Sequence, residues 1–436
     1  MIFFARNTYN GPKKTSKKKA PKMKKMIRPG PVRGTVPAPA SKSLAQRAAA
    51  IAALTRGETR ILNFSTCRDS AAALAVSKDL GAGVRVLGDR VTVRGGLNPR
   101  TRLIHCGESG LCMRLFSAVA ALWDGDITLD GLAPLRKRPI SMAEAPLRRL
   151  GARVESAGGF PPLKVRGPLQ GGEAHVDGSV TSQFLTGLLI GAPLAPGDST
   201  LTVSGLKSAP YVDMTLEIIH AFGVKIHREG DRFLIPGNQA YRPREYRLEG
   251  DWSAASFFLV AGALAGDVSV TGLSADSAQA DRAILSLLKA AGANVQRIPD
   301  GFRAMKKELR PFEFDASHCP DLFPPAAALA AHCPGESRIK GAGRLVFKES
   351  HRGRALEAEL GKLGARIRTD LDVMVIEGGG LEGGEAFSRG DHRIAMSLSV
   401  AALAARGPST IEGAGCVAKS YPNFYADLNG IMEDEK

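Results

Sequence analysis

The chain has 436 residues, of which 44% are hydrophobic and 23% are charged, and its formal net charge is +16. This length allows two or three domains with full-sized cores, and no apolar run reaches the length of a membrane span. Residues 1–28 contain ten Lys or Arg and no acid, so removing these ten leaves +6 on the other 408 residues. The excess charge is therefore local, and neither a membrane nor a nucleic acid is expected as a partner.

The basic head, residues 1–28, is predicted to be a disordered extension, because a lysine-rich stretch with few apolar residues cannot form a core. It has neither the apolar centre of a signal peptide nor the Arg and Ser content of a transit peptide, so we expect a cytoplasmic protein. The six cysteines form no C-x-x-C pair, which fits reduced thiols in that compartment. They are Cys67, Cys106, Cys112, Cys319, Cys333 and Cys416.

The segment 39–54 is predicted to be a helix whose start binds an anion. Ser41 and Ser43 are suited to cap a helix, and Arg47 follows Ser43 by one turn, so that pair shares a face beside unpaired backbone N–H groups. With Lys42 they offer donors, formal charge and the positive end of the helix dipole to a phosphate or carboxylate. A capped surface helix with solvated cations is the alternative.

A unit of about 70 residues recurs along the chain. In each copy an amphipathic helix ends at a glycine suited to a left-handed C-cap, and two alternating strands then form a hairpin. A strand and an alanine-rich helix precede it, so the unit reads β-α-β-α-β-β. The chain ends leave room for a sixth copy, split or decayed, which predicts an α/β protein with domains of three units each and a hinge near residues 248–251. The marker glycines, spaced by 70, 72, 69 and 72 residues, are Gly81, Gly151, Gly223, Gly292 and Gly364.

Anion-binding groups recur at later turns and helix starts. The first half offers the glycine-punctuated turn 107–114, the basic run Arg136–Arg138 before a proline, and the polar run 178–184, for which ordinary capping is the alternative. Each position alone is typical of a solvated surface, but their recurrence in a repeated unit predicts a common cationic cleft for a small polyanion. The second half adds Lys348, Arg352, Arg393 and Lys419.

Two carboxylates, Asp321 and Glu349, stand among these cations. Lys348 and Arg352 are predicted to share one helix face, with Glu349 beside them. A carboxylate flanked by cations has a depressed pKa and stays available as a base near neutral pH. Simple charge balance remains the alternative interpretation.

The pair His318-Cys319 and the pair His332-Cys333 offer imidazole and thiolate ligands for a metal. Adjacent residues rarely both reach one ion, and an alanine-rich helical stretch separates the two pairs. We therefore expect no metal site.

Taken together, these motifs resemble the 5-enolpyruvylshikimate-3-phosphate synthase (EPSP synthase) family of enolpyruvyl transferases. They occur in family order and cover residues 30–425. The matching segments are S-K-S-L-A-Q-R (41–47), G-E-S-G-L-C-M-R (107–114), L-R-K-R-P (135–139), G-S-V-T-S-Q-F-L-T (178–186), K-S-A-P-Y (207–211), C-P-D (319–321), K-E-S-H-R (348–352), D-H-R-I-A-M (391–396) and A-K-S-Y-P (418–422).

The resemblance implies a two-domain fold, an inside-out α/β barrel with three units in each domain. The lower domain would be discontinuous, at 29–41 plus 249–436, and the upper domain would span 42–248, with the active site in the cleft between them. The implied reaction transfers the enolpyruvyl group of phosphoenolpyruvate to the 5-hydroxyl of shikimate 3-phosphate and releases phosphate. It uses no metal or organic cofactor, and a monomer is expected.

The resemblance also implies residue roles. Asp321 would take the 5-hydroxyl proton, and Glu349 with Lys42 would handle the proton at the methylene carbon of phosphoenolpyruvate. The implied shikimate 3-phosphate ligands are Lys42, Ser43, Arg47, Thr181, Ser182, Gln183, Ser208, Asp321 and Lys348. The implied phosphoenolpyruvate ligands are Lys42, Gly110, Arg138, Gln183, Arg352, Arg393 and Lys419.

The turn 107–111 departs from the family pattern G-N-[AS]-G-T. Glu108 replaces the asparagine, and Leu111 replaces the threonine. A carboxylate beside phosphoenolpyruvate repels that anion unless it points away or pairs with a cation such as Arg136. The hypothesis is a weakened phosphoenolpyruvate subsite with reduced sensitivity to glyphosate.

Three alternatives remain open from the sequence. The related UDP-N-acetylglucosamine enolpyruvyl transferase typically has Lys-Asn where this chain has Lys42-Ser43, and it uses a loop cysteine for which Cys112, at a helix start, is a poor match. A nucleic-acid-binding protein would leave Asp321 and Glu349 without a purpose. A family member that has lost activity would explain the altered turn.

Overall fold

The computed structural model describes residues 23–433. Residues 1–22, which make up most of the predicted extension, lie outside the described residues. The predicted limit of that extension at residue 28 is wrong, because Lys24–Ile27 form a strand, β1, that pairs antiparallel with Ser409–Glu412. Ile27 is buried in a hydrophobic core, so these four residues belong to the fold.

Six sheets repeat one strand order within the described residues. In five of them the first strand lies parallel to the second, and the second pairs antiparallel with the far strand of a hairpin. The sixth sheet has three strands, because β1 replaces the hairpin. The predicted β-α-β-α-β-β unit and its incomplete sixth copy are therefore confirmed.

Three sheets belong to the upper half of the molecule, which is defined here by the core of buried residues between Ala40 and Leu248. Its strands are β3 (Gly57–Leu62), β4 (Gly83–Leu87), β5 (Arg90–Gly95), β6 (Leu103–His105), β7 (Asp126–Asp130), β8 (Arg153–Ala157), β9 (Phe160–Arg166), β10 (Gly172–Asp177), β11 (Ser199–Ser204), β12 (His227–Glu229), β13 (Arg232–Ile235) and β14 (Glu245–Arg247). Its helices are α1 (Lys42–Leu54), α2 (Arg68–Asp79), α3 (Gly110–Ala120), α4 (Ala133–Arg136), α5 (Glu144–Arg149), α6 (Gln183–Gly191) and α7 (Ala209–Ala221).

The other three sheets belong to the lower half, defined by the core that joins Ile27–Val36 to residues from Trp252 to Ile431. Its strands are β1, β2 (Val32–Pro37), β15 (Gly266–Thr271), β16 (Asn294–Ile298), β17 (Gly301–Met305), β18 (Glu313–Asp315), β19 (Gly335–Lys340), β20 (Arg366–Asp370), β21 (Val373–Gly378), β22 (Gly384–Phe387) and β23 (Ser409–Glu412). Its helices are α8 (Trp252–Ala265), α9 (Ile284–Ala290), α10 (Phe323–Ala330), α11 (Arg352–Lys362), α12 (His392–Ala402) and α13 (Phe424–Ile431).

The chain crosses between the halves twice, and the two crossings lie side by side. The backbone N–H of Ser41 donates to the carbonyl of Glu249 at 2.9 Å, and the N–H of Asp251 donates to the carbonyl of Pro39 at 2.7 Å. Strand β2, which precedes the first crossing, completes a sheet of the lower half, and β14, which precedes the second crossing, completes a sheet of the upper half. Each strand therefore belongs to the half that the chain then leaves.

The glycines that mark the repeat adopt the predicted backbone. All five have a φ between +84° and +116°, and each follows the end of a helix and precedes a hairpin. This left-handed conformation is strained for residues with a Cβ atom, so the repeat spacing reflects the points where helices must stop. Within residues 23–433 no helix is both long enough and apolar enough to cross a bilayer.

Candidate active site

A cavity lies where helix starts of the upper half face turns of the lower half. Thirteen of the predicted site residues line it, and two others, Arg352 and Lys419, lie one layer behind it. The lining set is Lys42, Ser43, Arg47, Gly110, Arg138, Thr181, Ser182, Gln183, Ser208, Asp321, Lys348, Glu349 and Arg393.

Helix α1 places its first residues at this cavity. The Ser41 hydroxyl accepts from the N–H of Leu44, which caps the helix. The backbone N–H of Lys42 donates to Asp251 Oδ2 at 2.9 Å, and Lys42 Nζ lies 3.2 Å from Asp69 Oδ2. Burial lowers the pKa of Lys42, but Asp69 and then Glu349 together outweigh burial, so the pKa is raised and the amine stays charged.

Arg47 is buried one turn later and is held by neutral groups. Its Nε donates to Thr215 Oγ1 at 2.8 Å, and its Nη1 donates to the carbonyl of Ser43 at 2.9 Å. Its Nη2 donates to Thr186 Oγ1 and to the carbonyl of Tyr211. Four of five N–H groups are thereby used, and burial without an acidic neighbour lowers the pKa of Arg47 to about 10.

Arg138 and Arg114 form the wall beside the turn 107–111. A Cβ atom on Gly110 would lie 2.8 Å from Arg138 Cζ, so only glycine allows this guanidinium to approach the turn. Arg114 donates to Gln183 Oε1 at 2.7 Å and to the carbonyl of Pro139 at 2.8 Å. Among the described groups, the buried Nε of each arginine has no hydrogen-bond partner. These donors suit an incoming anion.

Asp321 lies at the centre of the lower wall, in the turn Pro320–Leu322. Its carboxylate lies 2.9 Å from Arg352 Nη1, 3.0 Å from Arg393 Nη2 and 3.1 Å from Lys348 Nζ. Burial raises the pKa of Asp321, but these cations, Arg393 foremost, hold it well below its usual range. For Lys348 the effect of burial prevails and lowers the pKa to about 8.

Glu349 lies beside Asp321 and shares its cations. Its Oε2 accepts from Arg352 Nη2 at 2.7 Å, and its Oε1 lies 3.8 Å from Arg138 Nη1 of the upper half. Burial opposes ionisation, but Arg352 and then Arg138 hold the pKa of Glu349 well below its usual range. Arg352 is itself fully buried and donates Nε to Asp391 Oδ2 at 3.0 Å.

The prediction that Lys348 and Arg352 share a helix face is wrong. Helix α11 begins only at Arg352, and residues 348–350 are irregular. Both cations nevertheless reach Asp321, because the irregular segment bends Lys348 back toward the turn that carries it.

Glu108 does not pair with Arg136, which the sequence analysis named as one cation that could offset its charge. Arg136 pairs with Asp130, six residues away, with 2.9 Å between Nε and Oδ1. The partner of Glu108 is Lys419, whose Nζ donates to the Glu108 carbonyl at 2.8 Å and lies 3.8 Å from its Oε2. Lys419 Nζ also lies 3.4 Å from Asp69 Oδ1.

The residues of the cavity and its walls that the predicted site set lacks include four ionisable side chains, Asp69, Arg114, Tyr211 and Arg344. Asp69 links Lys42 to Lys419, and Arg114 holds Gln183. The glycine turn held a signal for Arg114, which follows Gly110 by one helical turn. Tyr211 and Arg344 line the cavity from opposite halves. Nothing local in the sequence marks Arg344, which reaches across to donate to Ser208 Oγ at 2.8 Å.

No group of three or more His, Cys, Asp or Glu side chains in residues 23–433 is arranged to hold a metal ion. What the cavity offers instead is a set of cations for anionic ligands and two carboxylates that remain ionised near neutral pH. This arrangement is suited to binding small polyanions and to moving protons beside them.

The fold and site define an enolpyruvyl-transferase class of α/β enzyme. The solved EPSP synthase from Acinetobacter baumannii superposes with a TM-score of 0.80 at 29% identity and covers 94% of this chain and 98% of that chain. The enolpyruvyl transferase NikO from Streptomyces tendae, at 21% identity, shares the fold with a TM-score of 0.76 over 94% of this chain and 98% of that chain.

A family model described as EPSP synthase (3-phosphoshikimate 1-carboxyvinyltransferase) matches residues 27–428. The 3-phosphoshikimate 1-carboxyvinyltransferase of Thermococcus kodakarensis is 41% identical, over 94% of this chain and 100% of that protein. The one of Methanocorpusculum labreanum is 37% identical, over 94% of this chain and 99% of that protein. The chain belongs to the EPSP synthase family.

Proposed function

We propose that this chain transfers the enolpyruvyl group of phosphoenolpyruvate to the 5-hydroxyl of shikimate 3-phosphate and releases phosphate, as a step of the shikimate pathway. One observation carries the proposal. A single cavity, lined from both halves, places two ionised carboxylates among cations that suit two anionic substrates. The family match over residues 27–428 favours this reaction over transfer to a UDP-amino sugar or binding of a nucleic acid.

Shikimate 3-phosphate would lie against the starts of α1, α6 and α7. Its phosphate and carboxylate would be held by hydroxyls and by cations, of which Arg47 bonds only to neutral groups of the protein. A further ligand is Arg344, which bridges Ser208 of one half and the carbonyl of Ser317 of the other. The remaining ligands in this proposal are Lys42, Ser43, Arg47, Thr181, Ser182, Gln183, Asp321 and Lys348.

Phosphoenolpyruvate would lie beside the turn 107–111, against Arg138 and Gln183. Arg352 and Lys419 lie behind the wall, so in this proposal they act by fixing Glu349, Asp321 and Glu108 as well as by their charge. Lys42, Gly110 and Arg393 complete the set.

The proposed chemistry is an addition followed by an elimination. Asp321 accepts the 5-hydroxyl proton as that oxygen bonds to C2 of phosphoenolpyruvate. Glu349 with Lys42 handles the proton at the methylene carbon, and the charged amine of Lys42 supplies it. Loss of a proton from that carbon then expels phosphate, whose charge the cations stabilise. Substrate anions draw the cations away from Asp321, and this raises its otherwise low affinity for a proton.

We further propose that the halves are domains, at 42–248 and at 249–436 with the N-terminal strands, and that they close over the substrates to exclude water. Two contacts that bridge the cleft, Arg344–Ser208 and Arg138–Glu349, support this proposal. A cytoplasmic monomer is also part of the proposal.

Phosphate release from phosphoenolpyruvate tests the function. The expected result is turnover that requires shikimate 3-phosphate and is absent with UDP-N-acetylglucosamine. Turnover with the UDP sugar alone, or none with either acceptor, would contradict the proposal.

A further inference from the structure

A second buried carboxylate, Asp281, lies close to Asp321 and takes no part in the chemistry proposed above. It belongs to the short helical turn Ala280–Ala283 of the lower half and is 2% exposed. Its Oδ2 accepts a hydrogen bond of 2.7 Å from the hydroxyl of Tyr211, which belongs to α7 of the upper half. The bond therefore exists only when the two halves meet.

Tyr211 connects three parts of the site. Its ring packs against both hydrophobic cores, and it lines the cavity. Its carbonyl accepts from Arg47 Nη2 at 3.1 Å, so the position of Tyr211 affects a proposed ligand of shikimate 3-phosphate. Its hydroxyl donates a hydrogen bond to Asp281, which does not line the cavity.

The surroundings of Asp281 differ from those of Asp321. Asp321 pairs with three cations, whereas Asp281 forms no ion pair with any residue that the structure describes. Its Oδ1 also lacks a hydrogen-bond partner among residues 23–433. A buried carboxylate with one neutral donor is costly to ionise, and nothing about core packing requires a carboxylate there.

We propose that Asp281 is a positioning residue that holds Tyr211, and through it Arg47, in place for shikimate 3-phosphate when the cleft closes. This inference rests on the proposed function. It assigns Asp281 no contact with the substrate, because Tyr211 stands between them.

The charge state of Asp281 links this contact to pH. The charged or titratable groups around it include Asp321, Arg393, Tyr211, Asp251 and Cys319. Burial and then Asp321 raise its pKa to about 6, although Arg393 opposes them. Because burial in the closed cleft raises the pKa of Asp281, protonation of Asp281 favours the closed cleft at low pH. This contribution to the stability of the closed cleft is lost as the pH rises through about 6.

Three variants and one control test the hydrogen bond. Tyr211→Phe keeps the ring and Asp281→Ala removes the acceptor, so each should raise the KM for shikimate 3-phosphate about tenfold, with a smaller change in kcat. The KM of the double variant should not exceed that of the more strongly affected single variant, because each of the three variants lacks the same hydrogen bond. Tyr241→Phe removes a buried hydrogen bond to the carbonyl of Ile190 inside the upper half and should leave KM unchanged. A KM increase in the double variant equal to the product of the two single-variant increases would overturn the inference.

Asp281→Asn separates positioning from mere stability. The carboxamide still accepts a hydrogen bond from the Tyr211 hydroxyl but cannot titrate. The comparison uses the ratio of wild-type KM to variant KM, because the titration of the substrate affects both values equally and cancels. That ratio should rise between pH 5 and pH 7.5, whereas a purely structural aspartate would give a constant ratio and overturn the inference. If the wild type released no phosphate with shikimate 3-phosphate, the proposed function would fail, and the same comparisons made on the calorimetric Kd for shikimate 3-phosphate would still decide the role of Asp281.

Discussion

Two arginines of the upper half, Arg47 and Arg114, and two of the lower half, Arg352 and Arg393, are all buried but have opposite surroundings. Arg47 and Arg114 bond to hydroxyls, carbonyls and an amide, and burial lowers their pKa values to about 10 and about 9. Burial acts on Arg352 and Arg393 too, but groups of carboxylates together outweigh it and raise both pKa values. Asp391, Glu349 and Asp321 act on Arg352, and Asp321, Asp281 and Asp251 act on Arg393. The upper pair is therefore open to the negative charge of a ligand, whereas the lower pair is already balanced and holds its carboxylates ionised.

The largest expected effect is at the centre of the lower wall. Asp321→Asn keeps the shape but removes the proposed base, so kcat should fall by about 10²–10⁴-fold. The KM for phosphoenolpyruvate should change far less. Steady-state phosphate release measures both, and a kcat within tenfold of wild type would show that Asp321 is only a balancing charge.

A matched pair of arginine variants contrasts the walls. Arg352→Met leaves Asp391 and Glu349 buried without their main cation, so the free energy of unfolding should fall by about 3–5 kcal/mol. Arg138→Met removes a cation whose single carboxylate contact is 3.8 Å long, so stability should change little while the KM for phosphoenolpyruvate rises about tenfold or more.

Urea denaturation and steady-state kinetics on both variants give the comparison. If Arg138→Met were as unstable as Arg352→Met, the two walls would not differ as described.

The altered turn predicts a smaller effect. Glu108 contacts Lys419 Nζ through both its carbonyl and its carboxylate. The negative charge of Glu108 lies where phosphoenolpyruvate is proposed to bind. Glu108→Asn should lower the KM for phosphoenolpyruvate and the inhibition constant of glyphosate, each by about threefold to tenfold. Unchanged values for both would remove the hypothesis of a weakened subsite.

The smallest effect concerns pH. Lys348 has a pKa of about 8 because of burial, so its charge is present below that pH and lost above it. The kcat/KM for shikimate 3-phosphate should therefore fall several-fold between pH 7 and pH 9. Lys348→Arg, which stays charged, should remove that decline, and an unchanged profile in this variant would assign the decline to another group.

The sequence predicted what local rules determine. Glycine C-caps and alternating strands fix the repeat, and a serine or aspartate before α1 and α12 fixes helix starts at the cavity. Strand β1 escaped prediction because its partner is distant in sequence, with Lys24 paired to Glu412, 388 residues away, and because its own lysines suggest disorder.

Contacts across the cleft escaped prediction for the same reason. The pairs Glu108–Lys419 and Arg344–Ser208 join distant residues through tertiary packing, so no spacing rule reveals them. Arg136 is nearer to Glu108 in sequence than Lys419 is, but Arg136 pairs with Asp130 at the end of β7.

A crystal structure with shikimate 3-phosphate and glyphosate tests the central claim most directly. We predict both ligands in the one cavity, with the 5-hydroxyl within hydrogen-bond distance of Asp321 and the anionic groups on the cations of the upper wall, including Arg47 and Arg138. Anions bound outside the cleft, or a 5-hydroxyl that does not reach Asp321, would contradict it.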